Sequence, residues 1–84
     1  MSKKEVVIEN LEGKYDNPIA ELVHVACQFK SRIAIIDGNK HYNAKSIMGI
    51  MAFNPSKGMQ VTVETSGEDE EAAISAMEAF LLCK

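Results

Sequence analysis

The chain has 84 residues, of which 46% are hydrophobic and 25% are charged, and its formal net charge is −3. This length predicts one domain covering residues 1–84, with a shallow core that disfavours the enclosed active site of an enzyme. The acidic balance disfavours nucleic acid as a partner, and the two cysteines are too few for a disulfide framework. No apolar run approaches the roughly 20 residues that span a bilayer, and no signal-peptide pattern opens the chain. We therefore expect a cytoplasmic protein.

The first half of the chain predicts a strand, a helix and a hairpin. The predicted strand is 5–9 and the hairpin strands are 32–36 and 40–43, whereas the apolar face of the helix extends over 19–29 with Pro18 in its first turn. Asp16 stands just before Pro18, and we expect it to cap this first helix. The turn at Asp37-Gly38-Asn39 contains residues that tolerate a positive φ angle, which favours a tight hairpin.

The second half predicts a short helix, a strand and a final helix. Ser46 precedes an apolar segment, Ile47–Met51, and is expected to be its N-cap. Residues 60–65 alternate between apolar and polar, as in a half-buried strand, and acidic residues 68–71 open a helix that runs to Leu81. The order β-α-β-β-α-β-α predicts an α+β fold, with helices on one face of an antiparallel sheet.

Two segments resemble the HPr family, the small phosphocarriers of the bacterial phosphoenolpyruvate:sugar phosphotransferase system. Asn43–Met51 closely resembles the regulatory-serine segment of that family. Gly13–Pro18 is similar in frame to its active-site stretch, Gly-(Ile/Leu)-His-Ala-Arg-Pro. The resemblance extends over essentially the whole chain. It implies the family's open-faced β-sandwich, a four-stranded antiparallel sheet covered on one face by three helices.

The active-site stretch departs from the family pattern at three neighbouring positions. The resemblance places Tyr15 at the position of the phosphohistidine and Asn17 at that of the arginine, and Asp16 replaces the usual alanine. A phosphate ester on the Tyr15 phenol would be a poor phosphoryl donor. The neutral amide of Asn17 does not replace the charged, planar guanidinium of an arginine. The carboxylate of Asp16 would compete with a phosphoryl group for the N–H groups at the helix end. We therefore expect no catalytic residue and no phosphocarrier activity here.

The serine segment, by contrast, is intact. The resemblance implies that Ser46 is phosphorylated by HPr kinase/phosphorylase as a signal, and a phosphate at a helix N-cap lies at the positive end of the helix dipole. The chain is most similar in character to the histidine-less, Crh-type members of the family. Those members bind a catabolite-control transcription factor, so sugar transport regulation and catabolite repression are the implied context.

An apolar patch is expected beside this serine. A short helix cannot bury every side chain, so at least one or two of Ile47, Met48 and Met51 should be exposed, and methionine suits an adaptable binding surface. The resemblance implies that partners dock on this patch, with Ala20 and His24 across from it. Spacing alone is equally compatible with all three residues lying in the core.

Simpler interpretations remain open for several residues. Ser46 is also explained as a plain helix cap, Tyr15 as a surface aromatic covering a helix end, and His24 with Cys27 as an exposed histidine beside a half-buried thiol. His24 and Cys27 lie at i and i+3, but two ligands do not make a metal site, so we expect no metal and no cofactor.

Two alternative functions are kept. The chain could be a phosphocarrier with an atypical acceptor, either Tyr15 or His24, or a divergent domain with a role unrelated to sugar uptake. The oligomeric state is expected to be a monomer or a weak dimer in which the first strand is exchanged.

Overall fold

The computed structural model describes residues 1–84 and contains four strands and four helices. In chain order these are β1 (Ser2–Val7), α1 (Leu11–Lys14), α2 (Pro18–Cys27), β2 (Arg32–Asp37), β3 (Lys40–Asn43), α3 (Ile47–Phe53), β4 (Gln60–Ser66) and α4 (Glu70–Leu81). The strands form one antiparallel sheet in the order β1-β4-β2-β3. The predicted α+β open-faced sandwich is confirmed. None of the helices is long and apolar enough to cross a membrane.

Strand alternation separates a buried face of the sheet from an open one. In β4, Val61, Val63 and Thr65 are buried, whereas Thr62 and Glu64 are not. This is the alternation that the sequence predicted. One continuous core forms between the buried face and the helices, and includes Ile35 of β2, Leu22 and Ala26 of α2, Ile50 of α3, and Met77 and Leu81 of α4.

The cap of α2 differs from the prediction. Asn17 is the N-cap, and its side-chain oxygen accepts a hydrogen bond from the backbone N–H of Ala20 at 3.3 Å. The residue before a proline is held in an extended conformation, and Asn17 has φ −135° and ψ 85°. Because Pro18 is the first helical residue, the cap falls on its immediate neighbour. The prediction that Asp16 caps this helix is therefore wrong.

A one-turn helix, α1, was not expected between β1 and α2. The side chain of Asn10 caps it by accepting a hydrogen bond from the N–H of Gly13 at 3.2 Å, and buried Leu11 anchors it to the core. The sequence hides this turn because it is short, polar and contains a glycine, which weakens helix propensity. Consequently four helices accompany the sheet instead of three.

Candidate functional site

Tyr15 lies directly after α1, and its ring packs against the last helix. The ring centroid is 4.4 Å from that of Phe80, with 16° between the ring planes, and the ammonium nitrogen of Lys14 lies 5.7 Å from the Tyr15 centroid. Burial raises the pKa of the Tyr15 hydroxyl above its usual value, with smaller electrostatic contributions from nearby Cys83 and Glu21. The hydroxyl is therefore a neutral group at physiological pH and a poor nucleophile.

The N-terminus of α2, beside Tyr15, is capped by the protein's own side chain. The amide oxygen of Asn17 occupies the N–H of Ala20, and Pro18 contributes no N–H at all. Asp16 is exposed next to this end and adds a carboxylate. A phosphoryl group would have to displace the Asn17 cap and approach a negative charge, so this end of the helix is poorly suited to holding phosphate.

Ser46 caps α3 as the sequence predicted. Its hydroxyl oxygen accepts a hydrogen bond from the N–H of Gly49 at 3.2 Å, and its carbonyl accepts the N–H of Ile50 at 3.0 Å. The first turn of α3 carries no acidic side chain. The positive end of the α3 dipole therefore faces no carboxylate of its own helix, unlike that of α4, where Glu70 and Glu71 lie in the first turn.

The segment before Ser46 is held by hydrogen bonds to its neighbours. The ammonium of Lys45 donates to the carbonyl of Phe29 at 2.6 Å, and the N–H of Lys45 donates to the side chain of Asn43 at 2.9 Å. The N–H of Ser46 donates to the carbonyl of Asn43 at 3.0 Å. The serine is thus presented by a fixed backbone, with a lysine as its immediate neighbour in the chain.

An exposed apolar patch follows Ser46 on α3. Ile47 is 49% exposed, Met48 78% and Met51 59%, whereas Ile50 and Phe53 on the opposite side of the helix are buried. The expectation that part of this segment forms an exposed apolar patch is confirmed, and all three residues contribute. We refer to Ile47, Met48 and Met51 as the α3 patch.

Helix α2 packs beside α3, and two of its residues were expected to border the α3 patch. His24 is exposed, and its Nε2 lies 3.3 Å from the side-chain nitrogen of Gln28. Ala20 is half-buried near the capped end of α2. Cys27 is exposed, not half-buried as predicted, and its sulfur lies 3.9 Å from the carbonyl oxygen of Lys45. This contact joins the end of α2 to the segment that presents Ser46.

Asp69, at the start of α4, closes the loop between α2 and β2. Its carboxylate accepts hydrogen bonds from the N–H groups of Lys30 and Ser31, each at 2.9 Å, and from the Ser31 hydroxyl. These bonds, chiefly the one from the Ser31 hydroxyl, lower the pKa of Asp69 to about 2. The sequence showed an acidic helix start but not this contact, because its donors lie on a distant loop.

Comparisons with known proteins agree with this fold. Residues 2–82 match the family model described as the PTS HPr component phosphorylation site. HPr-like protein Crh of Halalkalibacterium halodurans is 38% identical over 81 residues, which are 96% of each chain. Phosphocarrier protein HPr of Treponema pallidum is also 38% identical, over 78 residues that cover 93% of this chain and 89% of that one. The crystal structure of HPr-C-His from Thermoanaerobacter tengcongensis has a TM-score of 0.87 at 40% identity, covering 96% of this chain and 91% of that chain. Overall identity does not separate the two kinds of relative, so the side chains at the site must do so.

Proposed function

The chain belongs to the HPr family, and we propose that it is a regulatory member that signals through phosphorylation of Ser46 and through protein binding, without a phosphohistidine. The relatives named above, phosphocarrier HPr and HPr-like protein Crh, are not enzymes. The observation that carries the proposal is the contrast between the two helix ends. Tyr15 and Asn17 fill the end of α2 with packing and capping contacts, whereas the first turn of α3, which Ser46 caps, carries no acidic side chain.

The chemistry of the α2 end supports the loss of phosphoryl transfer. Histidine carries phosphate as a phosphoramidate, which keeps a high transfer potential, and Tyr15 offers only a phenol with a raised pKa. By resemblance to the family, Asn17 stands where an arginine would hold the phosphate, and its side chain is already engaged with Ala20. Both the nucleophile and the anion-binding group are therefore absent at this position.

The surroundings of Ser46 support its role as the phosphorylated residue. Phosphorylation adds a charge of about −1.5 to −2 and three acceptor oxygens. At the start of α3 this charge meets the positive end of the helix dipole and the N–H of Gly49, which already donates to the Ser46 hydroxyl. The phosphate can therefore be accommodated without disrupting the helix, and it remains available to arginine or lysine side chains of a partner.

The partner surface that we propose combines phosphorylated Ser46 with the α3 patch, bordered by Ala20 and His24 of α2. An exposed apolar patch rich in methionine adapts to different partners, and the charge beside it supplies specificity. By family resemblance the partners are HPr kinase/phosphorylase and a catabolite-control transcription factor, bound by a cytoplasmic domain comprising residues 1–84. The oligomeric state remains our prediction of a monomer or a weak, strand-exchanged dimer.

The direct test is phosphorylation by an HPr kinase and ATP. We expect the wild-type chain to gain one phosphate, the Ser46→Ala variant none, and the Ser75→Ala variant the same as wild type. Ser75 is a suitable control because it is an exposed serine on α4, away from the start of α3. A wild-type chain that takes up no phosphate would refute the proposal.

The alternative is a phosphocarrier with an atypical acceptor. It is favoured by the equal similarity to phosphocarrier HPr of Treponema pallidum and by the exposure of His24. Incubation with phosphoenolpyruvate and enzyme I distinguishes the two functions. The regulatory proposal requires that no phosphate appears in this reaction. An acid-labile label lost in a His24→Gln variant, or an acid-stable label lost in a Tyr15→Phe variant, would establish the alternative.

A further inference from the structure

A groove formed by β2 and β3, at one edge of the sheet, is not used by the proposed function. It has a volume of about 500 Å³, lies between β2 and β3, and is lined by Arg32, Ala34, His41, Asn43 and Lys45, among others. None of these residues belongs to the α3 patch. A volume of this size falls within the range of sites that bind small molecules.

The register of the two strands explains the shape of the groove. Ala34 of β2 is paired with Asn43 of β3, and Ile36 with His41. Side chains two residues apart on a strand share a face, so Arg32 and Ala34 lie on one face with His41 and Asn43. Ala34 is the smallest of these side chains and leaves a depression, whose borders are formed by larger polar groups. β3 is the last strand of the sheet, so this side of the groove stays open to ligands.

The charges that line the groove are of one sign. Arg32 and Lys45 carry positive charges, His41 adds an imidazole, and no carboxylate lines the groove. Two other cavities on the surface differ in this respect, because they include Glu9 and Glu12 respectively. This local excess of basic groups is unexpected in a chain whose net charge is −3.

The acid nearest in the register is already paired. Glu64 of β4 lies opposite Ala34, and its carboxylate forms a salt bridge of 3.5 Å with Lys3 of β1. Arg32, in contrast, forms no side-chain hydrogen bond or salt bridge and is exposed. Its planar guanidinium, with five N–H donors, is therefore free to bind an anion.

We propose that this groove binds a small phosphorylated organic anion. Arg32 would supply a bidentate contact to the phosphate. The ammonium of Lys45, which also donates to the carbonyl of Phe29, would supply a second positive charge. His41 and Asn43 would add hydrogen-bond donors. Three basic groups around one depression suit the several oxygens of a single phosphate, whereas a dicarboxylate would need positive charges at two separate points. The proposal stands independently of Ser46 phosphorylation.

Titration of the full, isotope-labelled chain with glycerol 3-phosphate tests this proposal by NMR at constant ionic strength. We expect saturable shifts of the backbone amide signals of Ala34, His41 and Asn43. The Arg32→Gln variant should bind about tenfold more weakly, because it loses a charge-assisted pair of hydrogen bonds. The His41→Gln variant, which leaves Arg32 intact, should also bind more weakly but by a smaller factor.

Lys40→Gln is the matched control, since Lys40 is exposed on β3, carries the same charge as Arg32 and does not line the groove. We expect this variant to bind glycerol 3-phosphate within about twofold of wild type. Shifts that do not saturate, or equal weakening by Lys40→Gln and Arg32→Gln, would show general charge attraction and overturn the proposal. Succinate binding as tightly as glycerol 3-phosphate would overturn the assignment to phosphate.

Discussion

Replacing Ser46 by alanine should destabilise the folded chain by about 1 kcal/mol, the usual cost of removing a helix N-cap. The Ser46 hydroxyl is the side-chain acceptor at the start of α3, and it holds the N–H of Gly49 at 3.2 Å. No acidic residue in the first turn can take its place. Because Ile50 and Phe53 bury α3 in the core, loosening of the cap should be felt in global unfolding.

Urea unfolding followed by circular dichroism measures this effect. With an m value of about 1 kcal/mol/M for a chain of this size, the midpoint should fall by about 1 M. The melting temperature should fall by about 4–8 °C. The Ser46→Asp variant should keep the stability of wild type or exceed it, because aspartate also caps helices and its charge favours the dipole.

Ser75→Ala provides the control for this series. Ser75 is exposed in the middle of α4, where alanine has the higher helix propensity, so this variant should be slightly more stable than wild type. Equal midpoints for Ser46→Ala and wild type would refute the reasoning. So would a Ser46→Asp variant less stable than Ser46→Ala, because a negative charge at this helix end would then be unfavourable.

Three further predictions concern the N-terminus of α2, the hydrogen bonds of Asp69 to the loop before β2, and the α3 patch. A Tyr15→His, Asn17→Arg double variant should gain an acid-labile phosphate from phosphoenolpyruvate and enzyme I. An unlabelled double variant would show that the absence of histidine and arginine at these positions does not explain the loss of phosphoryl transfer. Because hydrogen bonds lower the folded-state pKa of Asp69 to about 2 from 3.8, its contribution to stability should be complete above about pH 4 and be lost as the pH falls towards 2. Urea unfolding should therefore show a smaller loss between pH 7 and pH 2.5 in Asp69→Asn than in wild type, and parallel losses would contradict this origin. The Met48→Asp variant should be phosphorylated by HPr kinase about tenfold more slowly than wild type, with an unchanged urea midpoint. The control variant Val7→Asp, at an exposed position on β1, should be phosphorylated at the wild-type rate. Equal rates for the two variants would exclude the α3 patch as a docking surface.

Local signals in the sequence sufficed for much of the fold. The strict alternation of β4 and the Ser46 cap depend on residues within a few positions of one another, and both are present in the structure. The cap of α2 was misassigned to Asp16 although the signal was local. Pro18 occupies the first helical position, which requires Asn17 to be the capping residue.

Contacts between distant segments could not be predicted in this way. The stacking of Tyr15 on Phe80 joins the segment after α1 to α4, and Asp69 accepts hydrogen bonds from the loop that precedes β2. The groove beside Ala34 depends on the register between β2 and β3, which pairs Ala34 with Asn43. Alternation and a tight turn restrict the register of this hairpin, but they do not show which side chains border a depression on the assembled sheet.

Mapping phosphate on the same protein after two parallel reactions tests the regulatory role of this chain most directly. One reaction contains HPr kinase and ATP, and the other contains phosphoenolpyruvate and enzyme I. Mass spectrometry under conditions that preserve acid-labile phosphate then locates any label. We expect one phosphate on Ser46 in the first reaction and none in the second. An unlabelled Ser46 in the first reaction, or a phosphate on Tyr15 or His24 in the second, would contradict the proposed regulatory role.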